Sequence, residues 1–312
     1  MKIIHSLVVT PGQCGLYETA KDLIVAERSL GHSVTVIEPE GGTKNMADPA
    51  LVIARTTEDR AAVLLGADVL IDHSGTDAEM LASGVPIIHV RHGRPLATFL
   101  ASMTGLDVYS HMARIGKDER YRAFVTFWES HVPYWEAVIG KPVHYVPACV
   151  DLDRFTPDGP KHDFGNKGGT INVVCADMWG RADECPFDVV HQFRYFAADN
   201  PGARLHVYGL KENINCVNTL LRTLGDNLGQ CGWAKNMASV YRAADCLLTC
   251  STTATRAVRE AMACGCPVFT PGETPEATCR VSVRKNAEAR YNPATSAKAM
   301  LGICGQVAGV PA

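Results

Sequence analysis

The sequence predicts an α/β protein of two domains, each a parallel sheet wound with helices. Three observations predict it. The chain has 312 residues, 46% apolar and 20% charged, which is about two domains' worth of chain. Short apolar, β-branched runs alternate with stretches of helical periodicity, and that alternation reads as βαβ units. The rhythm halts in a stretch rich in Gly, Pro, Asp and Lys, from Asp151 to Thr170, and then begins again. The expected division is residues 1–155, a linker at 156–169, and a second domain at 170–312.

In the first half, Ile3 to Val9 is an apolar run suited to a buried parallel strand. Pro11, Gly12 and Gly15 then make a tight loop in which glycine permits close backbone approach. A helix follows from Leu16 to Leu30, with Leu16, Ala20, Leu23 and Ile24 on one face, and Gly31 stops it. Val34–Ile37 is the next strand. A helix ends at Leu64–Ala67, and Asp68–His73 is a strand running into a polar loop. Residues 78–82 form a short helix, and Val85–Val90 is a strand that exits into Arg91-His92-Gly93-Arg94-Pro95. Residues 106–146 are less regular. Phe124–Phe127 and Val143–Val146 read as strands, with a helix from His131 between them.

The second half repeats the pattern. Strands are expected at Ile171–Ala176, Leu205–Gly209, Cys246–Cys250 and Pro267–Thr270. Helices are expected at 186–198, Asn236–Ala243 and 256–264, the last ending at Gly265.

Composition excludes several classes. No apolar stretch reaches the ~18 uncharged residues a spanning helix needs. The N-terminal run is too short and too β-branched for a signal peptide. The twelve cysteines are scattered without C-x-x-C pairs, which reads as reduced, mostly buried thiols in a cytoplasmic protein, with no metal site. Residues 1–160 carry 14 Lys+Arg against 20 Asp+Glu, and residues 161–312 carry 16 against 13. The second half is therefore the expected host of an anionic ligand, and an overall charge of -3 suits nucleic acid poorly. Gly12 and Gly15 lack the full G-x-G-x-x-G spacing of a dinucleotide oxidoreductase.

The segment from Thr249 to Gly272 carries the most chemistry. A strand ends in a Ser/Thr loop that opens a helix, whose first N–H groups can hold a phosphate. Arg256 and Arg259 sit at that end. A cation there opposes the helix dipole unless an anion is present, so Arg256 is either a ligand contact or a solvated residue. Glu260 lies among small and apolar neighbours and needs a partner. A ribose diol would serve, and so would Arg256 four residues back.

Tyr241-Arg242-Ala243-Ala244-Asp245-Cys246-Leu247-Leu248, Ser251 and Glu260-Ala261-Met262-Ala263-Cys264-Gly265-Cys266-Pro267-Val268 resemble the donor-binding region of a large family. It is that of retaining, sugar-nucleotide-dependent glycosyltransferases of the GT-B fold (glycosyl transferases group 1, family 4-like), with two Rossmann-like domains facing each other across a cleft. Gly31–Val36, Val143–Phe155 and Gly229–Trp233 resemble further parts of it in order, the last corresponding to a turn before the helix that leads to Tyr241. The resemblance implies sugar transfer from a nucleoside diphosphate sugar (a UDP-sugar, with GDP-sugar the alternative) to a hydroxyl acceptor, with retention and without a metal. Glu260 would hold the ribose. Thr253 stands where the family has a Glu that touches the transferred sugar. Arg181 would be the first of two diphosphate cations. Glu184, Cys185 and Pro186 stand where the second, a Lys, is expected, so Arg256 would supply that charge. Ser251, Gly12 and Gly15 would approach the diphosphate and sugar. His92, and less directly His73, would face sugar or acceptor, and Trp233 would flank the base or sit in the core. The family ends in a helix that returns to the first domain; this chain ends soon after Tyr291, so a shortened return is expected. Two rival readings remain: a viral-type DNA glycosyltransferase acting on hydroxymethylated pyrimidine, disfavoured by the acidic first half, and a catalytically weak nucleotide-sugar-binding protein.

Overall fold

The computed structural model describes residues 1–9, 15–40, 48–95, 98–99, 108–165, 168–177, 186–209, 215–251, 253–270 and 279–309. They form two compact units, one of Met1–Cys149 with Tyr291–Ala312 and one of Val150–Arg290.

The first unit is a seven-stranded parallel sheet. Its strands are β1 (Lys2–Ser6), β2 (Ser33–Ile37), β3 (Ile53–Ala54), β4 (Val69–Asp72), β5 (Ile87–Arg91), β6 (Tyr121–Thr126) and β7 (Val143–Tyr145), in the order β3-β2-β1-β4-β5-β6-β7. Central strands such as β4 are buried on both faces, so their sequences run apolar without alternation. The helices are α1 (Gly15–Ser29), α2 (Thr57–Leu65), α3 (Ala78–Ala82), α4 (Val108–Lys117) and α5 (Val132–Ile139). α1 buries Tyr17, Ala20, Leu23 and Ile24 and ends before Gly31 at φ 89°. A capping box opens α2: Thr56 Oγ1 accepts from Asp59 N at 3.0 Å, and Asp59 Oδ2 accepts from Thr56 N at 3.5 Å. α4 lies in the stretch expected to be irregular. Its Gly116 is a packing contact: a Cβ there would sit 2.0 Å from Ile139 O at the end of α5. β3 is a two-residue edge strand, too short to show a period.

The second unit is a five-stranded parallel sheet of β8 (Asn172–Cys175), β9 (Arg204–Tyr208), β10 (Leu228–Gly232), β11 (Cys246–Leu248) and β12 (Val268–Phe269), in the order β10-β9-β8-β11-β12. Its helices are α6 (Pro186–Asp199), α7 (Asn215–Arg222), α8 (Met237–Ala243), α9 (Arg256–Ala263) and α10 (Arg280–Arg290). The expected turn at Gly229–Trp233 is instead most of β10, paired with β9. Gly229 is required there by contact, since a Cβ would fall 2.5 Å from the His206 ring.

Two expectations about domain limits are corrected. The linker at 156–169 is not free over its described part, because residues 151–165 pack into the second unit. The buried Arg242 donates to the carbonyls of Thr156 (2.7 Å), Arg154 (3.3 Å) and Pro160 (3.3 Å). Arg284 donates to those of Ala263 (2.7 Å) and Leu152 (3.1 Å), and Phe155 is buried. Two arginines thus satisfy backbone that has no ladder of its own. The chain beyond Tyr291 is not part of the second unit but returns to the first. It forms α11 (Pro293–Ala308), 16 residues capped by Asn292, whose Oδ1 accepts from Ala294 N at 2.9 Å. Ala297, Met300, Leu301, Ile303 and Cys304 join the core of the first unit beside Leu23 and Ile24.

Candidate functional site

In the second unit, consecutive strands run outward from β8 in one direction and then resume beside it as β11. Ligands of such sheets bind at the carboxyl ends of the strands around this reversal. Here the two ends are tied together by Asp177, two residues past β8 and 3% exposed. Its carboxylate accepts from Thr249 Oγ1 at 2.7 Å, Cys250 N at 2.8 Å and Cys250 Sγ at 3.2 Å. Thr249 Oγ1 in turn accepts from Ser251 N at 3.1 Å. An acceptor with three donors keeps a buried charge compensated. Sequence reasoning did not single out Asp177; its only local signal is an acid just past an apolar strand.

The braced loop leads into α9. Ser251 is buried, with Oγ 3.2 Å from Thr253 O and 3.3 Å from Thr253 Oγ1. Thr255 holds the N-cap position, but its side chain makes no capping bond, and its buried Oγ1 has no hydrogen-bond partner among the described residues. The first N–H groups of α9 therefore lack the usual internal acceptor.

Arg256 and Glu260 form a pair on the first turns of α9, Nε to Oε1 at 2.7 Å, with side chains 9% and 12% exposed. The Arg256 guanidinium also lies 5.6 Å from the Phe155 ring centroid. Glu260 thus bonds Arg256, the partner four residues back that its spacing allows. The carboxylate offsets the unfavourable placement of a cation at a helix start. The alternative of solvated arginines is overturned: Arg259 is also buried and donates through Nη1 to Ala254 O at 2.9 Å. Trp233 follows β10 and is 58% exposed, so it is not a core residue.

Arg181 and Gly12 lie outside the described residues, as do Glu184 and Cys185. Gly15 is the first residue of α1, where its carbonyl accepts from Thr19 Oγ1 at 2.7 Å. It therefore starts a helix rather than lying within the expected loop.

In the first unit, His92 follows β5. Its Nε2 lies 2.8 Å from Nδ1 of His73, which follows β4, and its ring meets Phe127 edge-on at 5.0 Å. His73 Nε2 lies 2.8 Å from His5 Nδ1 on β1, and His5 Nε2 lies 2.8 Å from Glu27 Oε2 on α1. Burial pushes the His5 and His73 imidazoles down and the Glu27 carboxyl up, favouring the neutral form of each. His5 and Glu27 were not singled out from the sequence, which holds them 22 residues apart.

Among the described residues no group of three or more His, Cys, Asp or Glu side chains is arranged to hold a metal ion. No helix among them is long and apolar enough to cross a membrane. Nine cysteines among them are free thiols, six of them buried.

Residues 187–301 match the family model described as "Glycosyl transferases group 1". No curated protein sequence matches the chain. Solved structures match over nearly its whole length. The Anabaena protein HepE, in complex with UDP and glucose, superposes with a TM-score of 0.68 at 13% identity, covering 97% of this chain and 99% of that one. A glycosyltransferase from Rickettsia africae gives 0.68 at 12% identity, covering 98% of each chain. WaaG, a glycosyltransferase involved in lipopolysaccharide biosynthesis, gives 0.61 at 13% identity with 98% of each chain covered. The fold is of the GT-B type, with two Rossmann-like domains.

Proposed function

We propose that the chain is a retaining glycosyltransferase that moves a sugar from a nucleoside diphosphate sugar, a UDP-sugar, to a hydroxyl acceptor. The observation that carries this reading is the loop braced by Asp177, which opens α9 at the strand reversal beside the Arg256–Glu260 pair. Support for the nucleotide comes from the matched family and from HepE, which was solved with UDP.

In this reading the ribose hydroxyls donate to Glu260, which fixes the donor. As the sugar–phosphate bond breaks, negative charge collects on the leaving diphosphate. Arg256, the N–H groups at the start of α9 and, on the family resemblance, Arg181 stabilise that charge. Ser251 and Thr253 contact phosphate or sugar, and Thr253 does so with a hydroxyl where the family has a carboxylate. His92 contacts a hydroxyl of sugar or acceptor, and Trp233 offers the base a ring. The departing phosphate takes the acceptor proton, and no metal is needed. The free buried thiols suit a reducing, cytoplasmic setting.

Calorimetric titration with UDP- and GDP-sugars, followed by assay of nucleoside diphosphate release with hydroxyl acceptors, tests the reading. The expected result is tight binding of one UDP-sugar and release of UDP that persists in excess chelator. Failure of every nucleotide sugar to bind overturns it, and binding without transfer leaves a nucleotide-sugar-binding protein. Complete, metal-reversible loss of release in chelator overturns the metal-free mechanism. Duplex DNA carrying hydroxymethylated pyrimidine is expected not to shift in a gel with the protein.

A further inference from the structure

The carboxyl edge of the sheet in the first unit holds buried polar groups that the proposed transfer leaves without a role. His89 Nε2, Arg91 Nε, Thr126 Oγ1, Trp128 Nε1, His131 Nδ1 and Trp135 Nε1 are buried, and each has no hydrogen-bond partner among the described residues. Folded proteins leave few such atoms, and these six stand on β5, on β6 and on the segment that follows it into α5.

Four of the six share one face. Side chains alternate along a strand. Ile88 and Val90 of β5 and Val125 of β6 enter the core shared with α1 and α11, so His89, Arg91 and Thr126 point to the other side, where Phe124 and Trp135 are buried. Arg91 and Thr126 are partners in register and the last residues of β5 and β6. The Arg91 guanidinium lies 5.1 Å from the Trp135 ring centroid. Ligands of parallel sheets bind at this edge.

Arg91 is a cation short of an anion. It is partly buried, and burial pulls its guanidinium down to about 10, so it stays charged at neutral pH. Its Nη2 donates to Thr98 Oγ1 at 2.6 Å, and among the described residues no carboxylate pairs with it. The acid on the same face, Asp72 of β4, is taken up by His89 Nδ1 at 2.9 Å and by Gly75 N at 2.6 Å. A cation drawn into a protein is normally compensated. The Arg91 Nε–H and the Trp135 N–H can only donate, and the Thr126 hydroxyl can donate as well. Donors around an uncompensated cation suit an oxyanion, which accepts from each and offsets the charge.

Aromatic rings flank this end. Tyr109 of α4 and Tyr134 of α5 pack on Trp135, with centroids 6.3 and 5.2 Å away. The two tyrosine hydroxyls bond each other, and that of Tyr109 donates to Pro95 O at 3.1 Å. Tyr134 is exposed, as is Phe99, whose ring meets Tyr109 at 6.4 Å. Exposed rings beside a few fixed donors make a surface for a ring-shaped ligand with one charged group.

We propose that Arg91, with Thr126 and Trp135, forms the acceptor subsite for an oxyanion, and that the acceptor is a hydroxylated ring bearing a carboxylate or a phosphate. That the anion belongs to the acceptor rests on the transferase reading; that this edge binds an anion does not.

Proton–nitrogen spectra of the nitrogen-15-labelled full chain, titrated with glucuronate, glucose 6-phosphate or glucose, test the site. The Arg91 Nε–H and Trp135 Nε1–H signals, assigned with Arg91→Lys and Trp135→Phe, are expected to move with the acids at concentrations ~10-fold or more below any response to glucose. The acid that acts at the lower concentration tells carboxylate from phosphate. Arg91→Met keeps the stem beside Trp135 and removes the charge; it is expected to weaken binding of that acid ~10-fold or more. Thr126→Val keeps the shape and removes the hydroxyl; it is expected to weaken binding severalfold, and it serves alone if Arg91→Met fails to fold. Signals that move equally with glucose or with none of the three, or acid binding unchanged in the variants, overturn the proposal. In transfer assays, kcat/KM is expected to favour the acidic ring over the neutral one, and Arg91→Met is expected to lose that preference with donor Kd unchanged. Acid binding through Arg91 without transfer from any donor keeps the anion site and sinks the transferase reading. Transfer to neutral acceptors alone keeps the transferase reading and sinks the proposal.

Discussion

Replacing Glu260 by Ala separates the two roles that the Arg256–Glu260 pair combines. The carboxylate lies 2.7 Å from Arg256 Nε, with the two side chains 9% and 12% exposed. Removing it takes the carboxylate away from a nearly buried guanidinium that also lies 5.6 Å from the Phe155 ring centroid. Breaking a fully buried pair costs roughly 3–5 kcal/mol; here residual solvent contact brings the expected loss to about 2–3 kcal/mol. Loss of the ribose hydrogen bonds costs a further ~1–3 kcal/mol of donor binding, a rise in Kd of roughly 5- to 150-fold. Denaturant unfolding measures the first quantity and titration calorimetry with the nucleotide sugar the second. The double variant Arg256→Met/Glu260→Met keeps the packing on Phe155 without a stranded charge. It is expected to recover stability to within ~1 kcal/mol of the parent while binding donor no better than Glu260→Ala. Donor affinity within twofold of the parent in both variants would refute the ribose role and leave the pair a purely structural contact.

Other consequences of the geometry are open to direct measurement. Asp177→Asn puts an amide N–H against the Cys250 N–H or the Thr249 hydroxyl; it is expected to lower stability by about 2–4 kcal/mol and to weaken donor binding, and an unchanged unfolding curve with full affinity would contradict the brace. Stability of the first unit is expected to peak near pH 6.5. Burial lowers His5 to about 3 and also lowers His73, so below their unfolded value of 6.5 the unfolded chain binds the extra protons and stability falls with falling pH. Glu27 is raised from 4.5 to about 8, so between those values the folded chain holds the extra proton and stability falls with rising pH. Burial also lowers His111 and His131, so below the peak the net slope exceeds one proton; above it, up to about pH 8, Glu27 gives about one proton, or ~1.4 kcal/mol per pH unit; a profile rising steadily from pH 6.5 to 8 would contradict it. Met300→Ala, on the face of α11 buried in the first unit, is expected to cost roughly 2–5 kcal/mol by unfolding, and a change under ~1 kcal/mol would show that α11 is dispensable there.

The parallel strands were legible because strands such as β4, covered on both faces, must be apolar throughout. Where the reading went astray, contacts between distant residues decided the structure. Gly229 lay in an expected turn and Gly116 in a stretch expected to be less regular, but each lies inside an element, where the His206 ring and Ile139 O leave no room for a Cβ. The composition of residues 151–165 argues correctly against helix or strand. It is silent about Arg242 and Arg284, which gather that backbone from more than 80 residues away. The start of α11 is written locally in Asn292-Pro293, a capping residue before an N1 proline. The site divides the same way. The Arg256–Glu260 pair follows from i,i+4 spacing. Asp177 meets Cys250 across 73 residues, and His5 meets His73 across 68, so neither can be read from a local window.

A crystal structure of the full chain with UDP bound tests the central claim most directly. The account predicts the diphosphate against the first N–H groups of α9 at the carboxyl ends of β8 and β11, with both ribose hydroxyls within hydrogen-bond reach of Glu260. A nucleotide seated elsewhere, or one bound here with its ribose turned away from Glu260, would contradict it.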